Sequence, residues 1–315
     1  MLRFFLALVF AALAQAAPAA QVAYYNVPPG SHPHDVAPAP DGKIWYTAQR
    51  QGALGILDPE TGKTEHIPLG GESAPHGVIA GPDRAAWITD SGLNAIVRVD
   101  PATKAVRHFP LPQDFADANL NTATFDPKGI LWFTGQNGVY GRVDPKTGKT
   151  DAWASPKGRG PYGIAATPSG DVWYVSLAGN YLAKINPANG AAMVVEPPTE
   201  GAGPRRVWSD SKGILWVSLW NAGALGRYDP AAKSWKTYPL PKSTAGCYSV
   251  YVDDKDRVWV TDWLENAIQM FDPVTEKFTA YPSDKKGANV RQMLGRPGEA
   301  WGGESGTDRL VVVRD

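Results

Sequence analysis

The sequence predicts an all-β fold, a seven-bladed β-propeller of four-stranded antiparallel blades, and three repeat series sharing one period predict it. Tryptophans fall at Trp45, Trp87, Trp132, Trp173, Trp216, Trp259 and Trp301, spaced by 42, 45, 41, 43, 43 and 42 residues. A turn series keeps step with them: Asp58-Pro59, Asp100-Pro101, Asp144-Pro145, Asn186-Pro187, Asp229-Pro230 and Asp272-Pro273. A third series precedes the tryptophans, as in Ala39-Pro40-Asp41-Gly42, Asp126-Pro127-Lys128-Gly129, Thr167-Pro168-Ser169-Gly170 and Asp210-Ser211-Lys212-Gly213. A fixed period of 40–45 residues with turn punctuation between short apolar runs is the pattern of propeller blades.

In chain order, the first element is a leader. One Arg is followed by an apolar run from Phe4 to Leu13, and Ala14-Gln15-Ala16 supplies a small-residue cleavage pattern. Residues 1–16 therefore read as a signal peptide, with a second cleavage option ending at Ala19. Such a leader predicts a secreted or periplasmic bacterial protein with no membrane span in its mature form. Residues 22–315 then form a single propeller domain, expected as a monomer.

The second repeat shows how each blade is written. His76-Gly77-Val78-Ile79-Ala80 is the first strand, and Pro82-Asp83-Arg84 turns the chain into Ala86-Trp87-Ile88-Thr89. Ser91-Gly92-Leu93-Asn94 turns it into Ala95-Ile96-Val97-Arg98-Val99, and the Asp100-Pro101 turn leads to Val106-Arg107-His108-Phe109. Alternating apolar and polar residues give the strand period, with Gly, Asn and Pro at the hairpins. The last repeat ends at Leu310-Val311-Val312-Val313, one strand short. Val22-Ala23-Tyr24-Tyr25-Asn26-Val27-Pro28 matches an outermost strand and is expected to complete blade seven, closing the ring and removing an open edge. The tryptophans are expected to pack between blades.

Composition narrows the function. The chain has 31 Lys+Arg against 31 Asp+Glu and no basic run, which argues against a nucleic-acid partner. One cysteine, Cys247, excludes an internal disulfide or a multi-cysteine zinc site, and its place in the first strand of blade six reads as a small buried hydrophobe.

The first strand of a blade lines the central channel, so the position eleven before each Trp forms a ring: His34, His76, Asn121, Tyr162, Arg205, Tyr248 and Val290. The position three after each Trp gives a second set: Ala48, Asp90, Gly135, Ser176, Leu219, Asp262 and Glu304. His34 and His76 lie in adjacent blades and are the candidate catalytic pair, with His32, Asp90 and Glu304 as candidate metal ligands. Two imidazoles with carboxylates can hold a divalent metal or act as a general base; the alternative for Asp90, Asp262 and Glu304 is capping of the turn after strand two. Asn121, Tyr162, Arg205, Tyr248 and Arg291 are the candidate substrate-binding residues. Arg205, Arg206 and Arg291, interleaved with Tyr162, Tyr248 and Trp208, suit a carboxylate-bearing or cyclic aromatic ligand; alternatively, Arg206 points to solvent.

The segment Pro75-His76-Gly77-Val78-Ile79-Ala80-Gly81-Pro82-Asp83, followed by Ala86-Trp87-Ile88-Thr89-Asp90-Ser91, resembles the streptogramin B (virginiamycin B) lyase family. Similar pieces recur as Pro161-Tyr162-Gly163-Ile164 and Trp259-Val260-Thr261-Asp262, and the likeness spans the mature chain. The resemblance implies a seven-bladed propeller in which histidines of two adjacent blades, acidic residues and Mg2+ open a cyclic depsipeptide ester by elimination. His34 and His76 match the histidines in type and adjacency, although the family pair lies in the last two blades. The family's acids are missing: Ala74 stands two before the second His, and Ser91 four after that blade's Trp. The leading expectation is an exported, metal-assisted carbon–oxygen lyase acting on a small or cyclic peptide ligand at the channel mouth. The alternatives are a non-enzymatic binding or scaffold propeller and a gluconolactonase-like hydrolase.

Overall fold

A computed structural model describes residues 20–315; the expected leader lies outside the described residues. Seven four-stranded antiparallel sheets stand around one axis, as expected. Six blades are built from consecutive strands; blade one, for instance, comprises Pro33–Pro38, Ile44–Ala48, Ala53–Leu57 and Thr64–Pro68 from the inside outward. Blade seven takes Val290–Arg296, Glu299–Glu304 and Arg309–Arg314, and its outer strand is the N-terminal Gln21–Asn26. That strand pairs antiparallel with Arg309–Arg314, Ala23 opposite Val312 and Tyr25 opposite Leu310, which joins the two ends of the ring. Among the described residues no helix is long and apolar enough to cross a membrane.

The repeat residues have separate physical jobs. Each series tryptophan is buried in the cluster between its own blade and the next: Trp45 with Val78 and Ile88, Trp132 with Ile164 and Tyr174, Trp301 with Val36 and Tyr46. Burying such a side chain contributes about 2–3 kcal/mol, so the series supplies much of the adhesion between blades. Acids at or beside the turn accept from most of the indole N–H groups, Trp173 being an exception. Trp132 donates to Asp126 at 2.9 Å, Trp216 to Asp210 at 3.1 Å and Trp259 to Asp253 at 2.9 Å. The Asp-Pro residues cap their own turns, Asp58 Oδ1 accepting from Glu60 N at 2.9 Å and Asp144 Oδ1 from Lys146 N at 2.9 Å.

One irregularity recurs in all seven blades. The pairing of the first and second strands slips just inside the mouth, between Pro33 and Val36 in blade one and between Pro204 and Arg206 in blade five. A bulge of this kind turns two consecutive side chains toward one side, where a regular strand would send them to opposite faces.

Candidate functional site

In five of the seven blades the bulge is held by a hydroxyl two residues after the tryptophan. Thr89 Oγ1 accepts from Gly77 N at 2.8 Å in its own blade and donates to Asn121 O at 2.6 Å in the next. Thr47 does the same between Asp35 N at 3.0 Å and His76 O at 2.8 Å, and Ser218 between Arg206 N and Tyr248 O, both at 2.9 Å. His76, Asn121, Tyr162 and Tyr248 are thus each positioned by the blade before them, whereas Val175 and Gly303 stand at this place in blades four and seven.

Within this frame the two histidines meet. Their ring centroids are 3.8 Å apart, and His34 and His76 are only 3% and 5% exposed. His34 Nδ1 lies 2.8 Å from Asp35 Oδ1, which sets Nδ1–H as donor and leaves the lone pair on Nε2. Asn121 fixes His76: Nδ1–H donates to Asn121 O at 3.1 Å, and Nε2 accepts from Asn121 Nδ2 at 3.1 Å. Burial, then the guanidinium charges of Arg291 and Arg206, hold the His34 pKa well below the usual imidazole value. His76 is lowered in the same direction by burial and by His34, against the pull of Asp35. Both rings are therefore neutral at neutral pH.

Opposite the histidines stands a cage of cations and aromatic rings. Arg205 Cζ lies 4.3 Å from the Tyr162 ring centroid, 4.1 Å from Tyr248 and 4.9 Å from Trp220, and Arg205 Nη2 donates to Tyr162 OH at 2.6 Å. Arg291 donates from Nη1 to Tyr248 OH at 3.3 Å and from Nε to Ser305 Oγ at 2.9 Å. Trp263 stacks on Tyr248 at 4.5 Å with the planes 2° apart. Burial raises the Tyr248 phenol, but Arg205, Arg291 and Arg206 outweigh it and draw its pKa down to about 7. Tyr162 moves the other way, raised by burial and by Tyr248.

The structure brings together His34, His76, Asn121, Tyr162, Arg205, Tyr248 and Arg291. It leaves three candidates outside. Asp90 caps the turn after strand two, accepting from Ser73 Oγ at 2.5 Å, Ala74 N at 2.9 Å and Leu93 N at 3.0 Å. Glu304 accepts from Ser283 Oγ at 2.8 Å and Arg309 Nε at 2.7 Å. Both carboxylates are satisfied away from the histidines, so the capping alternative describes them. His32 is half-buried with φ 49°, its N–H donating to Asp308 Oδ1 at 2.7 Å, and burial lowers its pKa.

Three other expectations are corrected. Val290 packs in the seam between blades six and seven, and Arg291 takes the ring position. The blade-seven turn is one residue shorter, pairing Arg296 with Glu299, whereas blade one closes Ala39 onto Lys43, so counting back from Trp301 overshoots by one. Arg206 is buried and crosses the channel rather than reaching solvent, Nη2 lying 3.2 Å from Asp35 Oδ1 while Nη1 donates to Thr122 Oγ1. Trp208 lines an apolar cavity with Phe125, Tyr251 and Leu294 instead of joining the cage. Cys247 is fully buried and its thiol pKa is raised by burial, in keeping with an inert hydrophobe.

Residues overlooked in the sequence complete the site. Asp35 is the acid that joins the histidines; these three form a cluster whose ligand-type atoms lie within 4.8 Å of one another. Trp220 and Trp263 share the position four after their series tryptophans, a repeat of off-series Trp in adjacent blades that was a readable signal.

Magnesium does not fit this donor set. The ion takes oxygen ligands in near-octahedral geometry, whereas the cluster offers two imidazoles and a single carboxylate. That carboxylate already accepts from His34 and Arg206, and Asn121 engages both His76 nitrogens. Arg206 supplies the positive charge at this point.

Comparison with known proteins places this architecture. The sequence pattern of the Virginiamycin B lyase family matches residues 7–188 and 72–314. Virginiamycin B lyase from Staphylococcus aureus superposes with a TM-score of 0.86 at 19% identity, over 94% of this chain and 99% of that one. A catalytically inactive form of the Staphylococcus aureus lyase, solved with quinupristin, gives 0.86 at 20% identity, over 94% and 99%. The extracellular domain of a hybrid two-component system from B. thetaiotaomicron gives 0.73 at 18% identity, over 93% of this chain and 42% of that one. At these identities the solved structures establish the shared propeller. No curated protein matches the chain.

Proposed function

This chain belongs to the virginiamycin B lyase family, and from that premise we propose an exported carbon–oxygen lyase in which His34, oriented by Asp35, is the general base. The observation that carries the reading is the 2.8 Å contact from His34 Nδ1 to Asp35 Oδ1 inside a ring of polar and aromatic side chains. A neutral imidazole with its lone pair on Nε2 is in the state a base needs near pH 7. In the proposed step, Nε2 takes a proton from the carbon next to a carbonyl. That electron pair forms a new C=C bond, and the neighbouring C–O bond breaks to release a carboxylate. No water is consumed, and the arginines beside the histidines provide the positive field for the leaving group.

The test is to incubate the protein with quinupristin and with a simpler cyclic depsipeptide, then weigh the products. Ring opening with unchanged mass, insensitive to EDTA and lost in His34→Ala, is the expected result. Gain of one water would mean hydrolysis, the gluconolactonase-like alternative, and would sink the elimination reading. A second reading, a non-enzymatic binding propeller, is favoured by the near-complete burial of both imidazoles. It predicts ligand binding with no ring opening at all.

A further inference from the structure

We infer that Arg205 and Arg291, with Trp220 and Trp263, form a subsite for the carboxylate of an aromatic acid. The inference deepens the elimination reading and rests on it only for naming that acid as the leaving group. Its first support is a charge imbalance. Arg205, Arg206 and Arg291 converge on the two tyrosines, while Asp35 is the acid in direct contact with this group among the described residues. The histidines opposite are neutral, and the rim adds Arg50 and one acid, Asp308, whose carboxylate is held by the backbone N–H groups of Gly30 and His32. Arg206, which is buried, is paired with Asp35, whereas the half-buried Arg205 and Arg291 have no carboxylate within ion-pair distance among the described residues and face Tyr248 instead.

The second support is unspent hydrogen-bonding capacity. Arg206 is 1% exposed, yet its Nε has no partner, and neither does the buried Nε of Arg205. Those donors belong to planar forks that match a carboxylate. The third is the rim. Trp220 and Trp263 meet edge to face at 5.4 Å and 84°, and both are only half-buried. An aromatic group laid against them would place its carboxylate over Arg205 and Arg291, a pairing of ring and anion that a bare phosphate would not use.

The experiment is calorimetric titration of benzoate into the His34→Ala protein, which separates binding from turnover. Benzyl alcohol, acetate and inorganic phosphate are the comparison ligands. Benzoate is expected to bind roughly tenfold or more tightly than each of them, and more weakly as salt rises. Arg205→Gln and Arg291→Gln should each weaken it by about tenfold, with Arg291→Lys between, since charge remains but the fork is lost. In case an arginine variant fails to fold, a second readout uses the otherwise intact protein. Tyrosinate absorbance near pH 7 should fall as benzoate binds, because a new anion beside Tyr248 draws a proton onto the phenol. Equal affinity for benzoate and benzyl alcohol, tightest binding of phosphate, no binding, or folded arginine variants that bind normally would each overturn the subsite. Ring opening that fails while benzoate still binds would remove the elimination reading and leave the subsite standing.

Discussion

Arg206 reaches across the channel from blade five to Asp35 in blade one, its Nη2 lying 3.2 Å from Oδ1, with side chains only 1% and 4% exposed. The same Oδ1 lies 2.8 Å from His34 Nδ1, so one oxygen orients the proposed base and neutralises a buried cation. Asp35→Asn would strand the guanidinium, and the cost of leaving one partner of a buried pair alone is about 3–5 kcal/mol. Equilibrium denaturant unfolding should show a loss of that size. The Asp35→Asn/Arg206→Gln double variant should lose less than the two single losses added together.

Acid should unfold the protein from the channel outward. His34 and His76 both have lowered pKa values, chiefly through burial, so the folded state resists protonation that the unfolded chain accepts below about 6.5. Above that pH neither state binds these protons and stability is level. Below it the unfolded chain holds more protons, and stability falls by about 1.4 kcal/mol per pH unit for each histidine. Denaturant midpoints measured from about pH 7.5 down to about pH 5 should show this slope, and His76→Gln should remove one proton's share of it. A flat profile in the wild type would mean that the imidazoles are not held neutral.

The Thr89 hydroxyl serves two blades at once, through Gly77 N at 2.8 Å and Asn121 O at 2.6 Å. Thr89→Val keeps the shape and removes both bonds, at an expected cost of about 1–3 kcal/mol in unfolding free energy. Val175 occupies the corresponding place in blade four, so the position accepts the valine shape and the loss reports the hydrogen bonds. Because Asn121 O also accepts from His76 Nδ1 at 3.1 Å, the His76 ring resonances should move as well, and Thr89→Ser should restore both readouts.

Much of the site was legible because it follows the repeat. The adjacency of His34 and His76 comes directly from the period, and so do Asn121, Tyr162, Arg205 and Tyr248 as mouth residues. The misreadings arise where a blade departs from the regular strand and turn pattern or where loops supply the partners. Strand alternation sends Asp35 away from His34, and only the bulge between Pro33 and Val36 turns both inward. A constant count puts Val290 in the ring, and the shorter blade-seven turn gives that place to Arg291, already a candidate substrate-binding residue. Asp90 and Glu304 carry ligand chemistry, but their serine, backbone and arginine partners become visible only once the loops are folded.

The repeat by itself determined the seven blades, their four strands, the tryptophan seams and the N-terminal closing strand. Those features are local: turn chemistry, a two-residue period and one large buried ring recur every 40–45 residues and need no distant information. Tertiary structure alone decided which side chains share the channel. Closure of the ring brings Asp35 against Arg206, 171 residues away, and bulges decide which neighbours face inward. A pattern repeated seven times cannot encode those meetings, because they depend on how its unequal members pack around one axis.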